Sequence, residues 1–206
     1  MRFADLDAVT IDAFGTLVEL IDPVPALQTA LAKRGLDPAA EAVREAVRAE
    51  SAYYRGHLAQ ARDDGSLHDL RVRCTRVFLD ALGVELSSEE FMPVFVESLQ
   101  FRLLDHVEQA LALLRSRGLE LAVVANWDLS LAGELDRLGL SRFFSVVEPS
   151  AEKPDPQALL GTLRRLGVPP QRALHIGDEQ SDEQAAVGAG AHFLPAPLHM
   201  AVAQLR

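Results

Sequence analysis

The sequence is poor in cysteine, in lysine and in long apolar runs, and each shortage excludes a class of protein. Its single cysteine, Cys74, cannot form an internal disulfide and has no ligand-like neighbour, so we expect a bystander thiol. The apolar runs are far shorter than a membrane span, and the first residues lack the apolar segment of a secretory signal. A cytoplasmic protein with no membrane partner is therefore expected.

Positive charge is also scarce, which bears on the partners of the chain. The 206 residues carry a formal net charge of -10 at pH 7, so nucleic acid is not an expected partner. An anionic small molecule would need local cations or helix N-termini to overcome the same repulsion. Only two of the 20 basic residues, Lys33 and Lys153, are lysines. A compact ammonium at Lys153 therefore departs from the general use of arginine in this chain.

The stretch from Ala8 to Leu17 delivers one carboxylate, Asp12, into a Gly-Thr turn. The apolar, β-branched run before Asp12 is typical of a strand that is covered on both faces. Asp12 then follows the carboxyl end of that strand, where open α/β sheets place their ligands. Because aspartate also caps turns without any further role, this stretch alone leaves both interpretations open.

The rest of the chain divides into a helical block and an alternating segment. Residues 18–104 contain four expected helices and no strand-like run. Asp37 and Ser87 are expected to cap two of these helices, and Asp105 is expected to cap the helix that follows the block. From residue 105 onward helices alternate with apolar strands, which predicts right-handed βαβ crossovers and a parallel sheet. The expected fold is an α/β, Rossmann-like core of residues 1–17 and 105–206 with an inserted all-helical domain of residues 18–104.

Polar residues follow the strands of the expected sheet. Asn126 comes after the second strand, Lys153 follows the third, and Asp178 comes after the fourth with Asp182 four residues on. Each residue alone has an ordinary explanation as a cap, a turn residue or a surface charge. Because the carboxyl ends of parallel strands meet at one edge, the four together predict a shared site there with Asp12.

Four stretches in this order resemble the motifs of the haloacid dehalogenase superfamily of hydrolases. They are Asp12-Ala-Phe-Gly-Thr-Leu17, Val-Val-Ala-Asn126, Glu152-Lys-Pro-Asp-Pro156 and Gly177-Asp178-Glu-Gln-Ser-Asp182. The resemblance covers nearly the whole chain and is to the subgroup with a helical cap between the first and second motifs. It implies a Rossmann-like core with the strands of Asp12 and Asp178 side by side, and a small-molecule substrate hydrolysed through an aspartyl-enzyme intermediate.

The resemblance also assigns roles to these positions. It makes Asp12 the nucleophile and Lys153 the residue that neutralises charge beside it. A Mg²⁺ ion would be held by Asp12, the backbone carbonyl of Phe14 and Asp178, with Asp182 orienting it, and hard oxygen ligands suit that ion. The residues expected around the substrate are Phe14, Ala125, Asn126 and Trp127.

Two positions depart from the pattern of the phosphatases in this superfamily. The aspartate that protonates the leaving group two residues after the nucleophile is replaced by Phe14, and the Ser or Thr of the second motif is replaced by Ala125. A missing general acid costs on the order of 10²–10⁴ in rate. A phosphatase of this kind would therefore be handicapped on substrates with poor leaving groups.

These departures leave three functions open. A Mg²⁺-dependent phosphohydrolase accounts for Asp178 and Asp182, whereas a metal-independent 2-haloacid dehalogenase accounts for Phe14, because halide leaves without a proton. The dehalogenases also use a cap arginine, for which Arg34 and Arg55 are candidates. A third interpretation is a weakly active or non-catalytic ligand-binding protein. A homodimer is an assembly that the sequence leaves open.

Overall fold

The computed structural model describes residues 1–149 and 151–206, which form two compact units. The sheet unit comprises Met1–Glu19 and Arg102–Arg206, and the helical unit comprises Leu20–Phe101. Among the helices described, none is both long and apolar enough to cross a membrane. The sequence placed the equivalent boundaries at residues 18 and 104, within a few residues of these.

The described strands fall into two sheets. They are β1 (Ala8–Ile11), β2 (Val18–Leu20), β3 (Phe101–Leu103), β4 (Glu120–Val124), β5 (Val146–Glu148), β6 (Ala173–Gly177) and β7 (His192–Pro195). A five-stranded sheet has the order β5-β4-β1-β6-β7, and its pairs are parallel. The predicted α/β, Rossmann-like fold class is thereby confirmed.

Strand β1 lies at the centre of the five-stranded sheet. It pairs with β4 on one side, where Ala8 is opposite Glu120, and with β6 on the other, where Ala8 is opposite Ala173. All four residues of β1 are buried because the strand has neighbours on both sides and helices over the sheet. This position explains why the run before Asp12 has no polar face.

The helices divide between the units. The helical unit contains α1 (Val24–Ala32), α2 (Ala40–His57), α3 (Asp64–Ala81) and α4 (Ser88–Ser98). The sheet unit contains α5 (Val107–Ser116), α6 (Leu131–Arg137), α7 (Gln157–Leu166), α8 (Gln180–Ala189) and α9 (Leu198–Ala203). The last of these, α9, was not predicted from the sequence.

The helical unit has an apolar core of its own. Leu27 and Leu31 of α1 pack in one cluster with Phe78 of α3 and with Phe91 and Phe95 of α4. The rings of Phe78 and Phe95 lie 4.9 Å apart between centroids. Burial of aromatic side chains on this scale is a large stabilising contribution, so the unit is held together by its own residues.

A second apolar cluster of the helical unit contains the single cysteine. Cys74 is 3% exposed and lies with Leu67 and Leu70 of the same helix and with Ala61. Its thiol hydrogen-bonds the buried carboxyl of Glu50, whose pKa is raised by burial despite that bond. The thiol is therefore packed inside the unit, in agreement with the expectation of a bystander.

The expectation that residues 18–104 contain no strand was wrong at both ends. Strands β2 and β3 form a two-stranded sheet where the chain passes from one unit to the other. The amide of Ile21 donates to the carbonyl of Gln100 at 2.8 Å, and that of Leu104 donates to Leu17 at 3.0 Å. Three-residue strands are too short to show a period, so pairing between distant segments determines them.

The predicted helix caps were correct at one position and wrong at two. The Ser87 hydroxyl accepts a hydrogen bond from the Glu90 amide at 3.3 Å and caps α4 as predicted. Asp37 and Asp105 do not cap, since α2 begins after Ala39 and α5 begins after His106, which has a φ of 62°. Both helices start later than a local capping rule would place them.

Candidate active site

The carboxyl edge of the central strands brings together the side chains that the sequence placed after them. Asp12 follows β1 directly, and its amide donates to the carbonyl of Ile176 at 2.9 Å. Asp178 follows the end of β6, and Asp182 lies in the first turn of α8. Because β1 and β6 are neighbours, these carboxylates are adjacent in space despite their distance in sequence.

Lys153 connects two of these carboxylates. Its Nζ donates to Asp12 Oδ1 at 2.5 Å and also to Asp182 Oδ1. All three side chains are buried, with 8% of Lys153, 7% of Asp12 and 1% of Asp182 exposed. Burial opposes the charge on Lys153, but the attraction and hydrogen bonds of the two carboxylates outweigh it and raise the pKa of the ammonium. The lysine is therefore a fixed positive charge beside Asp12.

The two carboxylates that share this lysine differ in pKa. Burial raises the pKa of Asp12 to about 7, with added repulsion from Asp182 and Asp178 and only partial relief from Lys153. Burial acts in the same direction on Asp182, but hydrogen bonds from His175 and the charge of Lys153 overcome it and lower the pKa to about 2. Asp182 is thus ionised at neutral pH. The positive charge of Lys153 does not offset the effect of burial on the pKa of Asp12.

Asp178 lies beside the turn that follows Asp12. Its Oδ1 accepts a hydrogen bond from the Thr16 hydroxyl at 3.3 Å, and burial raises the pKa of its carboxyl. Gly15 has a φ of 80°, and a Cβ on this residue would lie 2.2 Å from Asp178 Oδ2. A side chain at Gly15 would therefore collide with the carboxylate, and the Gly-Thr turn is what allows the close approach.

The three carboxylates fit a divalent cation. Asp12, Asp178 and Asp182 each offer an oxygen, and these oxygens all lie within 4.8 Å of one another. Three ionised carboxylates beside one ammonium leave a net charge of about −2, which a dication would offset. Hard oxygen donors are the ligands that Mg²⁺ and Ca²⁺ prefer. Burial is the main cause of the raised pKa of Asp12, and repulsion from Asp182 and Asp178 adds to it.

Asn126 is engaged with the loop of the active-site lysine. Its Oδ1 accepts a hydrogen bond from the Lys153 amide at 2.8 Å, and its Nδ2 donates to the Lys153 carbonyl at 3.1 Å. This reciprocal pair fixes the Lys153 backbone against the end of β4. The predicted role of Asn126 in substrate binding stays a prediction.

The other residues expected around the substrate differ in exposure. Phe14 is 50% exposed, whereas Ala125 and Trp127 are buried after β4. The Ala125 amide donates to the backbone carbonyl of Glu148 at 3.0 Å, and the Trp127 indole donates to the Ser130 hydroxyl at 3.3 Å. Phe14 alone of these three presents a large side chain at the surface of the site.

Two buried residues behind the carboxylates were missed from the sequence. His175 and Thr10 are fully buried in β6 and β1, and His175 contacts both Thr10 and Asp182. In the sequence each is a single polar residue inside an apolar strand. Polar residues buried in a central strand need partners, and that requirement was the available signal.

The protein is thus an α/β protein with three carboxylates and a lysine at the carboxyl edge of its parallel sheet, where such folds place their catalytic sites. A family model described as a haloacid dehalogenase-like hydrolase matches residues 6–190. The chain belongs to this family, which confirms the resemblance seen in the four motifs. It is accordingly a hydrolase by family.

Similar sequences include phosphatases. The phosphoglycolate phosphatase of Pseudomonas putida is 32% identical over 191 residues, which are 88% of this chain and 66% of that protein. The phosphoglycolate phosphatase of Escherichia coli K12 is 29% identical over 215 residues, with 92% and 80% covered. The chain thus spans about two thirds of the length of the first relative and four fifths of the second.

Solved structures of similar fold include dehalogenases. The 2-haloacid dehalogenase of Pseudomonas syringae pv. Tomato DC3000 is 25% identical with a TM-score of 0.62, and 91% of this chain and 85% of that chain are covered. The L-2-haloacid dehalogenase of Xanthobacter autotrophicus has a TM-score of 0.68 at 22% identity, with 91% and 76% covered. The second likeness, at 22% identity, establishes the fold alone. The relatives found by sequence are named as phosphatases and favour a phosphohydrolase.

Proposed function

We propose that the chain is a Mg²⁺-dependent phosphohydrolase that acts on a small phosphorylated metabolite through an aspartyl-phosphate at Asp12. The observation that carries the proposal is the cluster of Asp12, Asp178 and Asp182 around one ammonium. A halide-releasing enzyme needs no dication, and this cluster would place uncompensated negative charge beside its nucleophile.

The proposed reaction takes place in two steps at Asp12. A carboxylate oxygen of Asp12 attacks phosphorus, the bond from phosphorus to the leaving oxygen breaks, and an aspartyl phosphate forms. Water then attacks phosphorus, which releases inorganic phosphate and restores the carboxylate. Lys153 holds Oδ1 of Asp12 at 2.5 Å, so the other oxygen is the one available for attack. Asn126 fixes the lysine backbone during both steps.

The proposed metal ligands are Asp12, the Phe14 carbonyl and Asp178, with Asp182 orienting the group. When bound, Mg²⁺ would offset the charge of the nucleophile and the phosphoryl oxygens. Asp182 is kept anionic by His175 and Lys153. The Thr16 hydroxyl donates a hydrogen bond to Oδ1 of Asp178 and orients that carboxylate. These residues therefore prepare the oxygen cluster before substrate arrives.

Phe14 restricts the substrates that we propose. Its side chain has no proton to donate, so an alkoxide leaving group would depart without help from this position. Aryl and acyl phosphates, whose leaving groups are weaker bases, would be hydrolysed faster than simple alkyl phosphates. Phosphoglycolate, the substrate in the relatives' names, is an alkyl phosphate and is the informative comparison.

The helical unit is proposed to act as a cap, with the domain boundaries at residues 18 and 104 that the sequence predicted. Caps of this kind exclude water and supply specificity. Arg34, one candidate for a carboxylate-binding arginine, lies over the Phe91 ring at 4.9 Å and donates to the Ala30 carbonyl within the helical unit. The proposed setting is the cytoplasm, and light scattering would decide between a monomer and a homodimer.

One observation favours a second candidate. Phe14 replaces the general acid, and the fold resembles that of dehalogenases, so halide release from a 2-haloacid is the competing activity. That activity would proceed without metal.

The deciding experiment is a substrate panel run with and without Mg²⁺. 4-Nitrophenyl phosphate, acetyl phosphate, phosphoglycolate and 2-chloropropionate are each incubated with the purified protein, with EDTA in a parallel series. The proposal expects phosphate release from the first two that EDTA abolishes and that Asp178→Ala lowers at least about tenfold. Chloride release unaffected by EDTA would establish the dehalogenase, and no turnover of any compound would indicate a binding protein.

A further inference from the structure

A buried histidine lies behind the active-site carboxylates. His175 Nδ1 is 2.9 Å from the Thr10 hydroxyl, and its Nε2 is 3.2 Å from Asp182 Oδ1. The same oxygen of Asp182 accepts from Lys153, which also donates to Asp12. We propose that His175 is a positioning residue, whose Nε2–H holds Asp182 and thereby places the Lys153 ammonium on the nucleophile. This inference rests on the proposed hydrolysis at Asp12.

The partners of the ring determine which nitrogen carries the proton. Asp182 Oδ1 accepts from the Lys153 ammonium and serves there as an acceptor, so the nitrogen that faces it must donate. With Nε2 donating to Asp182, Nδ1 of the neutral ring is an acceptor, and we assign the Thr10 hydroxyl proton to Nδ1 at 2.9 Å over the Leu174 carbonyl at 3.4 Å. Only the Nε2–H form of the neutral ring satisfies both contacts. Asp182 therefore selects the Nε2–H tautomer, and the Thr10 hydroxyl can satisfy the nitrogen that is left as an acceptor.

The Asp182 carboxylate is held at both of its oxygens. Oδ1 accepts from His175, and Oδ2 accepts from the Glu179 amide at 3.0 Å. A Cβ on Gly177 would lie 2.2 Å from Asp182 Cγ, which shows how closely the strand approaches this side chain. The carboxylate plane is thus fixed by donors at both oxygens and by the backbone next to it.

Loss of the histidine donor would move charge within the site. A buried carboxylate with one donor fewer makes a stronger demand on its remaining cation. Lys153 would then shift toward Asp182 and away from Asp12 Oδ1, where it is needed as negative charge develops on the phosphoryl group. His175 has no exposed surface and so contacts no substrate. The loss should therefore lower kcat and leave KM nearly unchanged.

The kinetic test compares two substitutions at the same position, with 4-nitrophenyl phosphate and Mg²⁺ as the assay. His175→Phe keeps an aromatic ring but has no donor, whereas His175→Gln retains an amide N–H that can reach Asp182. We expect kcat to fall about tenfold or more in the first variant and to stay within about threefold in the second, with KM within about twofold in both. Equal kcat losses in both variants, or lowered Tm with unchanged kcat, would assign His175 a purely structural role.

A spectroscopic test needs neither substrate nor metal. The ¹⁵N spectrum of the metal-free protein with labelled histidine reports which ring nitrogen is protonated. We expect Nε2–H in the wild type, in Thr10→Ser and in Thr10→Val, which keeps the shape but lacks the hydroxyl, because Asp182 still faces Nε2 as an acceptor. A wild-type ring protonated at Nδ1 alone, or at both nitrogens, would overturn the positioning role even if hydrolysis occurs. A correct tautomer in a protein without any turnover would instead refute the proposed function and, with it, the role in hydrolysis.

Discussion

At the residue scale, Asp12 combines a buried position with a pKa near neutrality. Burial raises this pKa from 3.8 to about 7, so the folded state binds a proton that the unfolded state releases at lower pH. Asp12 therefore contributes stability that is present below about pH 4 and lost as the pH rises through 7. The difference corresponds to at most about 4 kcal/mol.

Asp12→Asn should accordingly stabilise the metal-free protein more at high pH than at low pH. In EDTA, we expect the Tm advantage of the variant over the wild type to grow between about pH 5 and about pH 8. Asp63→Asn is the matched control, since hydrogen bonds from Ser66 lower the pKa of Asp63 below 3.8, so its stabilising effect is complete at higher pH and its Tm difference should stay constant over this range. A Tm difference for Asp12→Asn that stays constant over this range would contradict the raised pKa. Asp12→Asn should also have no measurable turnover.

Phe14 makes a prediction about the leaving group. Its ring is half exposed two residues after Asp12, so the space it occupies should admit a carboxyl group. Phe14→Asp should raise kcat/KM for alkyl phosphates such as phosphoglycolate by about tenfold or more and change the aryl phosphate rate much less. Phe14→Asn is the control, because its side chain is nearly the same size as that of Phe14→Asp but has no acidic proton. Equal gains in the two variants would show that relief of bulk, and not proton donation, limits the rate.

The residues that carry charge at the site could be predicted from the sequence because each one follows a strand. Asp12, Lys153 and Asp178 were found by that rule, and the parallel sheet then brings them to one edge. His175 and Thr10 could not be found in this way, since they lie inside the strands and their importance depends on pairing between β1 and β6. Local sequence reports the ends of elements better than contacts across them.

At the scale of elements, the turn between β1 and β2 carries a tight steric constraint on the site. A Gly15→Ala substitution would place a methyl group 2.2 Å from Asp178 Oδ2. It should lower kcat at least about tenfold and destabilise the protein by more than the roughly 1–2 kcal/mol that a positive φ alone costs. Gly35→Ala is the control, because Gly35 has a φ of 77° and a Cβ added to it would meet nothing within 4 Å. Full activity in Gly15→Ala would show that Asp178 can move without consequence.

The sequence predicted the long elements and missed three short ones, for a physical reason. Helices α2 and α3 each run for 18 residues, so their apolar periodicity extends over several turns. Strands β2 and β3 have three residues each, and α9 has six. Such elements are stabilised by tertiary pairing and packing more than by their own composition.

At the scale of the whole molecule, each unit buries a core made of its own residues. The cluster around Leu159 and Leu163 belongs to the sheet unit, and the cluster around Phe78 and Phe95 belongs to the helical unit. A chain in which residues 20–101 are replaced by a short Gly-Ser linker should therefore still fold and melt cooperatively. Residues 20–101 expressed alone should also melt cooperatively in circular dichroism. A non-cooperative transition in both fragments would show that neither core suffices by itself.

The central place of β1 has a consequence for the order of events during synthesis. Its partners begin at Glu120 and Ala173, so more than 100 residues separate it from either neighbour along the chain. By the time β4 leaves the ribosome, residues 20–101 are complete and can collapse on their local contacts. The strand that leads to Asp12 thus precedes both of its partners and stays unpaired until β4 has emerged. The nascent chain must protect this apolar segment from aggregation until the second half of the protein has emerged.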